Sequence, residues 1–371
     1  MKQRVDLAVV GAGVIGLAHA ALAAKRGLRV VVFERGARAT GASIRNFGMI
    51  WPIGQPAGEL HQLALRSRQI WGEMALSAGL TECGSGSLHV ARNRDELAVL
   101  EEFAVLGPAQ GYDCAMLTPD DAVARCAALR QEGLLGALWS PTELIVDPRE
   151  SIRELAGTLD VSFDSAVTAI DPPFLEARGE QWEAERIIVC GGEDLTTLYA
   201  GVLANSGIVK CKLQMMRTAP QPNGWRLGLG LAAGLTLRFY PAFRICSTMP
   251  ALAARIADEL AEYDRWGIHL LVSQTADGEI TIGDSHEYGD AIDPFDKPEI
   301  DDLILRYFED FATVPDPRIR QRWHGVYAKH PDLACFRATP HPAVRIVTAT
   351  GGSGMTLSFG IAEQTLHEMG V

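Results

Sequence analysis

The 371 residues carry a formal net charge of −12, with 47% hydrophobic and 22% charged residues, an ordinary balance for a globular chain in water. The acidic excess, with no basic stripe, excludes a nucleic-acid partner but leaves room for a local basic pocket that binds an anion. The length permits two domains, or one with a large insertion.

No apolar run is long enough to span a bilayer, so no transmembrane segment is expected. The N-terminus enters the first strand within a few residues, which leaves no room for a signal peptide. Cysteines 83, 114, 126, 190, 211, 246 and 335 form no CxxC pair and show no zinc spacing. Reduced thiols, a cytoplasmic location and no metal site are the expectation.

In chain order, an apolar run over Val5–Val10 feeds Gly11-Ala12-Gly13-Val14-Ile15-Gly16, then an alanine-rich helix that stops at Gly27. A second β-branched run, Val30–Phe33, ends at the acid Glu34, with Arg35 beside it. Gly11 permits the tight turn, Gly13 lets the backbone approach a pyrophosphate, and Gly16 lets helix and strand pack closely. The helix N-terminus favours negative charge, and Glu34 is placed to accept hydrogen bonds from a ribose diol. Strand, helix, stop, strand and acid at these offsets read as an adenine-dinucleotide site.

A loop over Gly36–Pro56 follows, and then a helix with Leu60, Leu63, Leu65, Ile70 and Trp71 spaced for one buried stripe. Residues 86–91 read as a strand and 94–106 and 119–128 as helices. Asp147-Pro148 opens another helix, with proline in its first turn. Val161–Val167 alternates as a strand, and Arg186–Val189 is a short strand running into Gly191-Gly192. Between residues 209 and 282 the runs 210–218, 235–240, 269–274 and 279–282 predict an antiparallel sheet. The strand Arg345–Thr350 ends in Gly351-Gly352-Ser353-Gly354 and leads into a last helix, to about Glu368. The fold class is therefore α/β, with the parallel nucleotide-binding part assembled from start, middle and end, and the antiparallel part inserted.

Glu34 serves the ribose of NAD or FAD equally. The second strand–glycine turn–helix at 351–356 favours FAD, because a helix N-terminus there can stabilise a phosphate or a reduced flavin's anionic edge.

The ordered set of VVGAGVIGLAHAALAAKRG, VVVFE, GASIRNFGM, SAVTAI, IIVCGG, RWHGVYA and VTATGGSGMTLSFGIAE resembles the D-amino-acid oxidase-like flavoproteins, among them glycine oxidase, sarcosine oxidase and D-amino-acid dehydrogenase. The resemblance covers nearly the whole chain. It implies a Rossmann-like FAD domain of the GR2 type (1–85, 145–208 and 325–371) and an inserted antiparallel α+β substrate domain (86–144 and 209–324). It also implies that Ala42, Ser43, Asn46, Phe47 and Gly48 line the flavin, with Met49 at the substrate edge. Val167 is expected to bracket the adenine, Gly191 and Gly192 to close on the dinucleotide, and Gly352, Ser353, Gly354, Met355 and Thr356 to meet the flavin and ribityl groups. Gly11 to Gly16, Glu34 and Arg35 complete the cofactor set.

The implied chemistry is hydride transfer from the carbon beside a neutral amine, giving an imine that water hydrolyses. Oxygen or another electron acceptor then reoxidises the flavin. No side chain is required as base. Relatives place a carboxylate-binding arginine after the W-x-G element, whereas here Tyr327 stands in that position. The segment has no cysteine, so non-covalent FAD is expected. Arg45, Met49, Tyr240, His324, Tyr327 and Lys329 are the substrate-site candidates, and His269, His286 and His341 read as structural. The string Ala42–Pro52 resembles a bacterial subgroup associated with aminophosphonate breakdown. That points to a small anionic amine such as 2-aminoethylphosphonate or its N-methyl form, with glycine, sarcosine or a D-amino acid as the alternative. A different class, a flavin-binding subunit of a larger redox complex, also stays open.

Overall fold

The computed structural model describes residues 3–371. Strand Gln3–Val10 pairs in parallel with Val30–Phe33 on one side and Glu180–Val189 on the other. The parallel order extends outward to Val344–Thr348 beyond Glu180–Val189, and to Val161–Ser162 beyond Val30–Phe33. A hairpin, Val167–Asp171 with Phe174–Ala177, pairs onto Glu180–Val189, and Phe336–His341 closes the far edge to give eight strands.

Central strands of a covered parallel sheet are apolar on both faces, and Leu7, Ala8 and Val9 are all fully buried. Helices Val14–Lys25 and Gly354–Glu368 pack on one face, and helix Glu59–Ala78 packs against the second of them. Gly360 permits that crossing, since a Cβ there would lie 2.7 Å from Leu63.

The second sheet has ten strands. Val209–Pro220 is its long ribbon, paired antiparallel with Ile319–Lys329 on one edge and with Glu279–Gly283 and Glu287–Gly289 on the other. The path continues through Leu271–Gln274 and Gly230–Ala232 to Glu82–Ala91, Gly136–Val146 and Met49–Ile50. Its core includes Leu88, Phe103, Leu231, Phe243, Val272 and Ile304. The expected domain boundaries at 85/86, 144/145 and 324/325 fall inside strands Glu82–Ala91, Gly136–Val146 and Ile319–Lys329 of this sheet.

Several local expectations change. Residues 235–240 form no strand: Gly234–Arg238 is a 3₁₀ turn. Thr236 Oγ1 donates to the Leu270 carbonyl (2.9 Å) and accepts from the Leu270 N–H (3.2 Å), taking the place of backbone pairing. The run 161–167 breaks at Asp164, whose φ is 51°, where Asp164 and Ser165 donate to the Gly36 and Glu34 carbonyls. The helix expected to 128 ends at Arg125, and Cys126, Ala128 and Leu129 turn inward to the core. In helix Glu59–Ala78 the buried stripe is His61, Ala64, Ser67, Ile70, Trp71 and Met74, while Leu60, Leu63 and Leu65 sit half-buried at its edge. Strand Gly136–Val146 is an element that the sequence does not predict.

Candidate functional site

The first half of the site is the glycine turn at the end of strand Gln3–Val10. Gly11 has φ 101°, and a Cβ there would run into the Cys190 carbonyl. A Cβ on Gly16 would strike the Gly11 carbonyl. Both positions therefore demand glycine. Helix Val14–Lys25 begins at Gly13 with no side-chain cap and no acid in its first turn, which leaves its positive end available to an anion. The Glu34 carboxylate accepts from the Ala12 N–H (2.9 Å) and the Gly36 N–H (3.0 Å), so it is fixed at the strand end that faces this turn.

Ser43 Oγ accepts from the Val14 N–H (2.9 Å), tying the segment 42–48 to the helix start. Asn46 holds that segment closed by donating to the Ala42 and Ser43 carbonyls and accepting from the Gly48 N–H. The Phe47 carbonyl accepts from Ser273, and Val14, Phe47, Gly48 and Met49 are buried while Ile15 and Ala42 are half-buried. Val167 is buried, and Gly192 accepts from Thr348 Oγ1 at 2.7 Å beside Gly191. Arg35, beside Glu34, pairs with Asp194 (2.8 Å).

The closing turn is Gly351–Ser353, followed by helix Gly354–Glu368. Thr356 Oγ1 accepts from the Trp51 N–H (2.9 Å), and the Met355 carbonyl accepts from Trp71 Nε1 (2.9 Å). Gln55 Nε2 donates to Ser353 Oγ at 3.3 Å. Two glycine turns opening helices, an anchored acid between them and a buried loop fit an FAD pyrophosphate and flavin.

Facing the second turn is a row of polar side chains on the long ribbon and its neighbours. Tyr327 Oη lies 3.8 Å from the Cβ position of Gly352, and Lys329 packs against Gly351. Tyr327 is opposite Cys211, which is opposite Tyr288. Lys329 Nζ reaches Tyr288 Oη at 3.3 Å and lies 4.9 Å from its ring centre. The row continues from Tyr288 to His286 (6.1 Å between rings), then His269 (4.9 Å), then Tyr240 (6.1 Å), which returns to Trp51 (6.4 Å). Trp51 and Met49 both approach Gly230. Burial raises the hydroxyl pKa of Tyr240 and Tyr327, so both stay neutral donors.

The six substrate candidates therefore separate. Tyr240, Tyr327 and Lys329 border this chamber, with Met49 behind Trp51. His324 bonds Asp296 through Nδ1 (2.8 Å), and its spacing of three from Tyr327 sends it to the opposite side of the strand. Arg45 donates to the His324 carbonyl (3.1 Å) and lines a separate cleft of about 490 Å³ with Arg149, Arg217, Arg320 and Arg322.

His269, Asp284, His286 and Tyr288 are additions to the site. Asp284, His286 and Tyr288 alternate in sequence, a period-two signal for one face, but the run around them is too short and polar to read as a strand. His269 and Asp284 exchange backbone hydrogen bonds, and their side chains lie 3.2 Å apart. No helix among the described residues is long and apolar enough to cross a membrane.

The sequence pattern described as FAD dependent oxidoreductase matches residues 6–367. Over 247 residues, 60% of the chain, it is 28% identical to the glycine oxidase of Geobacillus kaustophilus. Over 41% of the chain it is 26% identical to human mitochondrial sarcosine dehydrogenase. Those matches span 64% and 17% of the two relatives' own lengths. The fold is also that of the glycine oxidase from Bacillus cereus, with a TM-score of 0.78 at 18% identity, covering 99% of this chain and 95% of that one.

Proposed function

Because the chain belongs to the FAD dependent oxidoreductase family, we propose that this FAD enzyme oxidises a small amine carrying a phosphonate, 2-aminoethylphosphonate or its N-methyl form, to phosphonoacetaldehyde. When bound, FAD supplies the acceptor for the hydride leaving the carbon beside the nitrogen. The chain's own residues bind and orient that amine, and water hydrolyses the imine.

The observation that carries this reading is Tyr327. A neutral hydroxyl faces Gly352, where a carboxylate substrate calls for an arginine fork. Lys329 and the hydroxyls of Tyr288 and Tyr327 offer a tetrahedral dianion a cation and two donors. A hydrogen bond to a charged group contributes about 1.5–3 kcal/mol, enough for a preference of about tenfold or more. Arg45 is the second cation considered for the anion, but its guanidinium already donates to the His324 carbonyl in the arginine cleft.

The test is anaerobic flavin bleaching with 2-aminoethylphosphonate, its N-methyl form, glycine, sarcosine and D-alanine. The phosphonates should bleach at the lowest concentrations; faster bleaching by the amino acids sinks the phosphonate assignment. Lys329→Ala should raise the half-saturating phosphonate concentration about tenfold or more, and Arg45→Ala less than about threefold. The reverse order would move the anion to the arginine cleft. No bleaching with any amine favours a subunit that needs a partner chain.

A further inference from the structure

Resting on the amine reading above, we propose that Asp284 is the base of the chamber: it receives the substrate's protonated amine and takes one proton, while His286 Nε2 accepts a remaining N–H. The N–H bond breaks with its electron pair staying on nitrogen, and an O–H bond forms on the Asp284 carboxylate. The product of this step is the neutral amine that the oxidation requires.

Four observations converge. First, the Asp284 side chain is 7% exposed, and its Oδ1 has no hydrogen-bond partner among the described residues. His269 Nε2 lies 3.2 Å from that oxygen, outside hydrogen-bond alignment, and His269 Nδ1 is also unpartnered. A buried carboxylate oxygen without a donor is costly, and an entering ammonium supplies one.

Second, the His286 tautomer is fixed. Its Nδ1 faces the Gly267 carbonyl at 3.0 Å, which can only accept, so Nδ1 carries the hydrogen and Nε2 the lone pair. His286 is half-buried where His269 is buried, so it is the imidazole that opens to the chamber. Burial, with Lys329 nearby, brings its pKa down to about 4, so Nε2 stays an acceptor in neutral solution.

Third, an aromatic ring lies beside the pair: Tyr240 is 6.1 Å from His269, while the Phe239 ring packs on both imidazoles and already carries the Arg238 guanidinium 4.8 Å from its centre, which leaves Tyr240 as the face for a cation.

Fourth, the dry surroundings favour the neutral pair of amine and carboxylic acid over an ion pair. Burial holds the Asp284 carboxyl well above the usual range. The titratable and charged groups around it are His269 and His286, Tyr288, Cys211 on the ribbon, Tyr327 and Lys329 on the adjacent strand, and Tyr240. Arg238, already paired with Asp264, completes the set.

The experiment uses the FAD-loaded protein and two readouts over about pH 7 to 9. One is anaerobic bleaching by 2-aminoethylphosphonate at low concentration. The other is binding of 2-amino-2-methylpropylphosphonate, which has no hydrogen on the carbon beside nitrogen, followed by the flavin absorption shift. Wild type should show both with a weaker dependence on pH than Asp284→Asn, because Asp284 keeps the proton that the amine gives up. Asp284→Asn should lose about tenfold in each per unit of falling pH, because only the neutral amine then binds. His286→Gln should keep the wild-type profile and bind the analogue about tenfold more weakly. A profile in Asp284→Asn no steeper than that of wild type overturns the proposal, as does a divalent metal held stoichiometrically by wild type and lost from that variant. A comparison needing no variant is 2-hydroxyethylphosphonate; if it binds wild type as tightly as the amine does, the ammonium subsite is refuted. Absence of bleaching in wild type with every amine instead refutes the amine reading, while analogue binding still reports on Asp284.

Discussion

At the scale of single residues, the chain holds several polar groups in its interior, and their protonation sets how it responds to acid. His89 is fully buried between Trp51 (5.5 Å) and Phe243 (5.2 Å), and neither ring nitrogen has a partner among the described residues. Burial brings its pKa from 6.5 to about 3. Because the folded value is the lower one, the unfolded chain binds the extra proton first. The His89 contribution is therefore intact above 6.5 and is lost as pH falls from there toward 3. At pH 5.5 the loss from this one side chain is on the order of 1 kcal/mol. His19, brought to about 4 by burial, adds a loss of the same sign. His89→Leu should gain on the order of 1 kcal/mol more over wild type at pH 5.5 than at pH 8, measured by urea unfolding with FAD saturating. Equal differences at the two pH values would show that His89 does not carry this acid sensitivity. Legibility varied with the same distinction between local and distant causes. Gly11, Gly16 and Glu34 were readable because their roles follow from backbone geometry within one βαβ unit. Asp284 and His286 were not, because what makes them chemical groups is burial against Phe239 and Tyr288, brought there by other strands.

At the scale of elements, caps and periodicity were readable, and turns made by side chains were not. Helix Arg94–Leu106 matched its expected bounds, and its reason is visible: Asn93 and Glu96 form a reciprocal capping box. Residues 235–240 misled because Thr236 bonds Leu270 through its side chain, and hydrophobic spacing carries no trace of that contact. The Glu96 carboxylate also ties this helix to helix Met249–Glu259. Arg255 donates to Asp95 (2.6 Å) and to Glu96 (2.9 Å), and Glu96 is 2% exposed. Removing one partner of a buried pair costs about 3–5 kcal/mol. The Arg92 and Asn93 N–H groups still serve Glu96, so Arg255→Ala should fall near the lower bound. Adding Glu96→Gln to it should restore part of the loss, since the uncompensated charge is gone. Strictly additive denaturation energies for the two changes would contradict this coupling.

At the scale of the whole molecule, the cofactor cradle draws its two ends from opposite ends of the chain. Gly11–Gly16 follows the first strand, Gly351–Gly354 follows the strand Val344–Thr348, and Glu180–Val189 separates those two strands in the sheet. The parallel order was legible because the apolar runs ending at Val10, Val189 and Thr348 lead into the glycines at 11–16, 191–192 and 351–354. The ten-stranded sheet was only half legible, since its long pairings join residues as distant as 49 and 145 or 209 and 329. FAD held by both turns would bind the folded state alone, so folding and binding would be linked. Free FAD at a hundred times its dissociation constant should stabilise the protein by about 2.7 kcal/mol. Protein stripped of flavin should melt at a lower temperature, and the melting point should climb with the logarithm of added FAD. Amide exchange should slow most in 5–16 and 344–356, and least in 298–311, a helix that makes no part of the cradle. A melting temperature indifferent to FAD, or protection spread evenly over both sheets, would mean that the cofactor is not what joins the two ends.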